Sequence, residues 1–267
     1  MTPDSPPPAL EVVDLSVDYL ADAGTVRALE AVSFQIAPGE IFGLCGQSGS
    51  GKSTLAAAVP RLLPLPALIR KGRIVVAGRD VTAAAPRELQ LIRGRLVGFV
   101  PQSGMNALHP QLSVGRQIAN VLRAHSQGTQ TPQVAELLTT VGLTPEVAQA
   151  FAHHLSGGMR QRAALAIALA AEPVLLIMDE ALGALDVIVR HQICATLVEM
   201  GQRRGFATLF ISHDLPLTLG LADRVGILHE GRLVEVGSVA QIRDEPRDAH
   251  TRALLAAFAE PRGTRAP

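Results

Sequence analysis

The segment Gly46-Gln47-Ser48-Gly49-Ser50-Gly51-Lys52-Ser53-Thr54 confines this chain to folds in which a strand runs into a tight glycine loop and then a helix. Gly46, Gly49 and Gly51 allow the curvature that brings backbone N–H groups onto phosphate oxygens. A helix starting near Lys52 aims its free N–H groups and positive dipole end at the same place. A plain strand-to-helix turn has no need of a lysine followed by two hydroxyl residues, so the segment reads as a phosphate loop. Such a loop occurs in kinases, small GTPases, recombinases and motor ATPases alike. It says nucleotide without saying which kind of protein.

Four short apolar runs, 41–45, 97–100, 174–178 and 208–211, are rich in branched or aromatic residues and end abruptly at polar ones. They read as buried strands, and the helical patterns between them predict a largely parallel sheet with crossover helices. Ligands of such sheets bind beyond the carboxyl ends of the strands. The groups found there are the phosphate loop, Gln102, Asp179-Glu180 and His213, which together predict one active site. A lone histidine is usually structural, and a carboxylate pair can simply close a turn; the common placement at strand ends argues for function. Residues 10–34 alternate in the manner of an antiparallel sheet flanking this core.

Composition narrows the classes. Of 267 residues 48% are hydrophobic, yet the richest stretch, 163–178, is interrupted by Glu172 and Pro173 and falls short of the roughly 20 apolar residues a membrane span requires. The first residues, Met-Thr-Pro-Asp-Ser-Pro-Pro-Pro, lack the basic start and apolar centre of a secretory signal, so a solvated leader and a cytosolic location are expected. Cys45 and Cys194 lie in apolar surroundings and read as small buried residues without chemistry. Equal counts of 24 basic and 24 acidic residues, one tyrosine and no tryptophan disfavour nucleic-acid binding. That tyrosine, Tyr19, is a candidate platform for a nucleotide base, with packing alone as the alternative.

Downstream lies a second glycine motif, Leu155-Ser156-Gly157-Gly158-Met159-Arg160-Gln161, with Ser156 as helix cap, a helix over 159–171 and Pro173 as its stop. One triphosphate does not need two helix ends in the same chain. This motif, the phosphate loop before it and Asp179-Glu180 after it resemble the ATP-binding subunits of ATP-binding-cassette (ABC) transporters, from about residue 10 to residue 258. The resemblance implies an α/β fold: a P-loop NTPase (RecA-like), mostly parallel sheet core, an antiparallel β subdomain and an inserted α-helical subdomain at about 103–160. A leader over 1–9 and a tail over 259–267 would flank one ATPase domain, with residues after 260 mobile.

The resemblance also implies roles. Gly46 to Thr54 would hold ATP, with Lys52 on the β- and γ-phosphates, Thr54 on the α-phosphate and Tyr19 on adenine. Mg²⁺ would be held by Ser53, Gln102 and, through water, Asp179. Glu180 would act as general base, and His213 would contact the γ-phosphate. Ser156, Gly157, Gly158 and Gln161 would close over the nucleotide of a second ATPase subunit packed head to tail, with Asp186 in the loop that touches that opposite site. The approach to Asp186 departs from the family pattern, because Ala181-Leu182-Gly183 stands where Pro-Thr-Ser or a close variant is usual. Pro101 likewise precedes Gln102 where Phe is more usual.

Ile92-Arg93-Gly94, the run from Gln102 to Pro110 and the tail Pro246-Arg-Asp-Ala-His-Thr-Arg-Ala-Leu-Leu255 resemble the oligopeptide, dipeptide and nickel importer ATPases. His109 stands where Asn is common there and reads as surface variation; the C-terminal cysteine cluster of some relatives is absent, so no iron–sulfur centre is expected. Two transmembrane permease subunits, a second ATPase subunit and, indirectly, an extracytoplasmic solute-binding protein would be the partners, at the cytoplasmic face of the inner membrane. A soluble ABC ATPase of phosphonate breakdown, a non-hydrolysing subunit and an exporter are the alternatives. The resemblance implies a peptide, nickel or metal-chelate-like solute; the chain contacts no transported solute in such a system, so its sequence does not name which.

Overall fold

The computed structural model describes residues 6–21, 24–102, 107–125, 131–183 and 185–259. The first five residues of the expected leader, residues 103–106 of the stretch after Gln102, Ala184 and the tail from residue 260 lie outside the described residues.

Strands β1 (Leu10–Ala21) and β2 (Gly24–Ile36) pair antiparallel, as the alternation predicts. Backbone bonding begins one residue before β1: Ala9 N–H donates to Ile36 O, and Ala9 O accepts from Ala77 N–H. Later in the chain, past β3 (Ile41–Cys45) and helix α1 (Lys52–Ala58), β4 (Ala67–Val76) and β5 (Arg79–Asp80) complete the sheet in the order β2-β1-β4-β5. Nothing in the local pattern singles out β4, because Arg70, Lys71 and Arg73 interrupt its alternation. Tertiary pairing places these cations beside Asp18, Asp14 and Glu11 of β1. The pairs of Lys71 and Arg73, with both side chains reaching solvent, contribute little energy; register is carried by the buried positions, with Leu10 opposite Ile36 on one side and Val76 on the other.

After α2 (Pro86–Arg95) and β6 (Val97–Val100) the chain forms α3 (Val114–His125), α4 (Thr131–Thr140), two short 3₁₀ turns (Pro145–Gln149 and Ala152–His154) and α5 (Gly157–Leu169). It then returns through β7 (Leu175–Asp179), α6 (Val187–Arg204), β8 (Ala207–Ser212), α7 (Leu215–Leu221), β9 (Arg224–His229), β10 (Arg232–Ser238), α8 (Val239–Asp244) and α9 (Ala249–Ala259). The second sheet has the order β10-β9-β3-β8-β7-β6, parallel throughout except for the β10–β9 pair. Strands β7 and β8 each extend slightly past the expected runs, and Val174 stays outside β7.

The faces of β7 explain why its sequence is apolar without alternation. Leu175 and Ile177 join the core shared with the antiparallel sheet and α1, while Leu176 and Met178 point into the core beneath α3 to α6. Both faces are therefore sealed, as a parallel sheet requires. Burial of each such side chain contributes about 1.5–3 kcal/mol, which holds β3, β8 and β7 at the centre. Helix α5 starts at Gly157 and stops at Leu169, two residues ahead of the expected 159–171 at each end. Ser156 caps it, its hydroxyl accepting from Met159 N–H at 3.3 Å. Pro173 disfavours helical backbone just before itself, and the chain turns into β7.

Candidate active site

The phosphate loop leaves β3 at the middle of the sheet. Gly46 is packed so closely that a Cβ there would sit 2.1 Å from Leu228 O of β9, so glycine is required by close approach. Gly51 caps α1 with φ +104°, and a Cβ on it would meet Ala28 O at 2.5 Å. Both the backbone region and the space exclude a side chain. Gly51→Ala is expected to cost about 1–3 kcal/mol of stability, read as a lower midpoint in a urea titration, together with weaker nucleotide binding.

Lys52 is buried, 4% exposed, and folds back over the loop. Its Nζ donates to Gly46 O and Gln47 O at 2.8 Å each and to Ser50 Oγ at 3.4 Å. Burial pushes the ammonium below the usual lysine range, against the opposing pull of Glu180, Cys45 and Asp179. A charge held largely by neutral dipoles in this way attracts anions strongly. Next to it, burial pushes the Cys45 thiol up to about 11, which keeps it protonated at neutral pH.

Ser53 Oγ donates to Asp179 Oδ1 at 3.1 Å, joining the loop to the end of β7. Asp179 is 4% exposed, and burial holds its carboxyl above the usual range although the Ser53 hydrogen bond and Lys52 pull it down. A raised carboxyl pKa in the fold means that its contribution to stability is fully present below the unfolded value of 3.8 and is lost as pH rises through the folded value. Asp179→Asn, which keeps an acceptor for Ser53, is therefore expected to melt higher than the unsubstituted chain at pH 7 without nucleotide or divalent cation. The gap should close toward pH 4 in differential scanning calorimetry; a lower midpoint at pH 7 would contradict the buried, uncompensated carboxylate.

Glu180 begins the loop after β7. It is a non-glycine residue with φ +49°, held by its N–H to Ile211 O of β8 at 2.9 Å. Such backbone is strained, and strain of this sort gathers at functional sites. The twist directs its carboxylate between two neighbours: Gln102 Nε2 donates to Glu180 Oε2 at 2.8 Å, and His213 Nδ1 lies 3.4 Å from the same oxygen. The strand order accounts for this triple, because β6, β7 and β8 are adjacent and parallel, and Gln102, Glu180 and His213 follow within two residues of their ends. Tyr19, half-buried near the end of β1, reaches Thr54 of α1 with its hydroxyl 3.4 Å from Oγ1.

The fold thus brings the phosphate loop, Tyr19, Gln102, Asp179, Glu180 and His213 to one edge. It does not bring the second glycine motif there. Among the described residues no hydrogen bond joins Ser156, Gly157 or Gly158 to the phosphate loop; Ser156 is exposed and Gln161 is buried within α5. A Cβ on Gly158 would instead lie 3.1 Å from Leu185, so the start of α5 packs against the segment after Glu180. In that segment Ala181 and Leu182 are buried, Leu185 N–H donates to Leu182 O, and Asp186 caps α6 through Val189 N–H. Two charged residues here escape a reading of motifs, Arg190 and Asp214, which meet at 3.0 Å. Pro216 just after Asp214 was the available signal for a helix cap; Arg190 had none.

A glycine loop between a parallel strand and a helix, with an acidic pair ending a strand of the same sheet, defines a P-loop nucleoside triphosphatase. The family description "ABC transporter" matches residues 29–183. The oligopeptide transport ATP-binding protein OppD of Bacillus subtilis is 39% identical over 93% of this chain and 71% of its own length. The peptidoglycan transport ATP-binding protein YejF of Agrobacterium fabrum is 42% identical over 96% of this chain, which spans about half (48%) of that protein. Among solved structures, the dimeric post-hydrolysis state of the ATP-binding cassette MJ0796 bound to ADP and Pi superposes with a TM-score of 0.79 at 25% identity, covering 86% of this chain and 98% of that one. The chain belongs to the ABC transporter family. It is an ATP-binding, ATP-hydrolysing subunit, and as such membrane-associated, while no helix among the described residues is long and apolar enough to cross a membrane.

Proposed function

We propose that this chain powers peptide uptake as the ATPase of an ABC importer, splitting ATP at the edge formed by β3, β8, β7 and β6. The observation that carries the catalytic reading is the Glu180 carboxylate, held between Gln102 and His213 beside the phosphate loop. The loop amides and Lys52 receive the β- and γ-phosphates, Thr54 the α-phosphate, and Tyr19 lies beside adenine. Glu180 takes a proton from the attacking water, and His213 orients that water against the γ-phosphate. The transferred phosphoryl group demands positioning and charge neutralisation more than covalent chemistry, and the loop supplies both.

Ser53, Gln102 and Asp179 fit Mg²⁺: an exposed hydroxyl, an amide and a buried carboxylate lacking a full counter-charge offer the hard oxygen donors it takes, and few of them. When bound, Mg²⁺ neutralises phosphate charge. Ser156, Gly157 and Gly158 complete the nucleotide site of a second ATPase subunit, identical or paralogous, with Gln161 buried behind them in α5 and Asp186 facing that site. The separation of Ser156 from its own phosphate loop and the dimeric cassette of similar fold support this. Residues 10–258 form one ATPase domain. Its helical part, about 103–160, meets two transmembrane permeases at the cytoplasmic face of the inner membrane, and an extracytoplasmic solute-binding protein delivers the cargo. Peptide as cargo rests on the names of OppD and of the peptide import ATP-binding proteins of Brucella, 40% identical over 94% of this chain.

The test is to tag the full chain, extract membranes in detergent and identify what co-purifies, then measure labelled tripeptide uptake into proteoliposomes of that complex with ATP on the side of the tagged chain. Two permeases and ATP-dependent uptake are expected. Recovery without any membrane protein would overturn the transport reading in favour of a soluble complex.

A further inference from the structure

Arg190 lies in the first turn of α6, four residues after the cap Asp186, with its side chain 20% exposed. Its guanidinium is shared between two loops that are distant in sequence. Nη1 meets Asp214 Oδ2 at 3.0 Å, and Nη2 donates to Leu185 O at 3.3 Å. Nε is buried and has no hydrogen-bond partner, so this side chain is placed for its two fork contacts at the expense of a third donor. A lysine carries one point charge and cannot match this planar two-target geometry.

Each loop is itself tightly stitched. Asp214 Oδ1 caps α7 through Leu217 N–H at 3.0 Å, and Asp214 N–H donates to Ser212 Oγ at 2.9 Å. His213 stands between those two anchored residues, so the position of Asp214 decides where its ring sits relative to Glu180. On the other side, the chain runs from Glu180 to Leu185 in six residues, closed by Gly183 N–H to Glu180 O and Leu185 N–H to Leu182 O, both 3.3 Å. Arg190 ties the two loops together through these two hydrogen bonds.

We infer that Arg190 is a positioning residue: through Asp214 and the Leu185 carbonyl it holds the His213 ring and the Glu180 loop in mutual register. The inference rests on the proposed roles of Glu180 and His213. Those residues touch the reacting water, whereas Arg190 acts only through them. Loss of the bridge leaves the phosphate loop, Tyr19 and Ser53 untouched, so nucleotide binding survives while the geometry of water attack loosens.

The experiment compares full-length Arg190→Met, Arg190→Lys and Asp214→Asn with the unsubstituted chain. Arg190→Met should lower kcat about tenfold or more, the scale on which small misplacements of reacting groups act, with ATP Kd and KM changed less than about twofold. Arg190→Lys should fall between, and Arg190→Met with Asp214→Asn should be no worse than the more impaired single variant. Long-range ¹H–¹⁵N spectra, with the His213 ring assigned from the His213→Ala spectrum, should show that ring shifted in Arg190→Met while the urea midpoint stays near its original value. Unchanged kcat with an unshifted ring, additive losses, or a raised KM at unchanged kcat would overturn the inference. If His213→Ala itself turns over normally, the proposed role of His213 falls instead; if it is impaired and Arg190→Met is not, only the bridge is wrong.

Discussion

Glu180→Gln is expected to bind ATP with near-original affinity and to lose ~10²- to 10⁴-fold of its steady-state hydrolysis, the usual worth of a positioned general base. The substitution is nearly isosteric. Its amide oxygen still accepts from Gln102, and it retains the left-handed backbone and the Ile211 bond that hold residue 180 in place. What disappears is the carboxylate's charge and basicity, since an amide cannot take a proton from water. Phosphate release at saturating ATP and equilibrium binding of ATP, measured on the same preparation, separate the two effects. Hydrolysis within a few-fold of the original would remove Glu180 from the reaction and move attention to His213. With chemistry blocked and binding intact, ATP should also accumulate a two-chain species in light scattering, which the unsubstituted chain resolves by turnover.

Lys52→Met should act on the other half of the ledger. Removing one partner of a buried, hydrogen-bonded charge contact costs about 2–5 kcal/mol, or roughly 30- to 4,000-fold in ATP affinity. Unlike Glu180→Gln, this variant should fail at binding before it fails at chemistry. Its effect on the empty protein should be small, because burial already pushes the ammonium below its ordinary range. A folded lysine pKa below the unfolded one means that the charged form is disfavoured at neutral pH, a penalty relieved only as pH rises toward the unfolded value of 10.5. Methionine removes that penalty along with the bonds to Gly46 O and Gln47 O. Isothermal titration with ATP and a urea titration without it should therefore disagree sharply; a large loss of stability with intact affinity would mean that Lys52 is a packing residue.

Much of the site was legible in the chain itself. The phosphate loop, Gln102, Asp179-Glu180 and His213 stand out because each polar residue interrupts an apolar run, and the structure places all of them at one edge. Ser156 was legible as a cap because a hydroxyl before a helical pattern has one common use. Arg190 was not, since in the sequence an arginine early in a long helix looks like any solvated charge until Asp214 is found 3.0 Å away. Strand β4 was missed for a related reason: Arg70, Lys71 and Arg73 obscure the pattern, and the acids that face them lie on β1, more than fifty residues earlier.

Residue order alone determined that strands would end in phosphate-binding and carboxylate groups, because burial on both faces and glycine curvature are local demands written into short windows. The neighbours of each strand were a tertiary decision. The order β3-β8-β7-β6 places β8 between the phosphate loop and Glu180, and no local window contains that arrangement. It arises from apolar residues far apart in the chain sealing two faces of one sheet together, and it sets Gln102 and His213 on either side of Glu180. The left-handed turn at Glu180 and the Arg190 bridge follow from the same packing: each is stabilised by partners that the fold brings close and the sequence keeps apart.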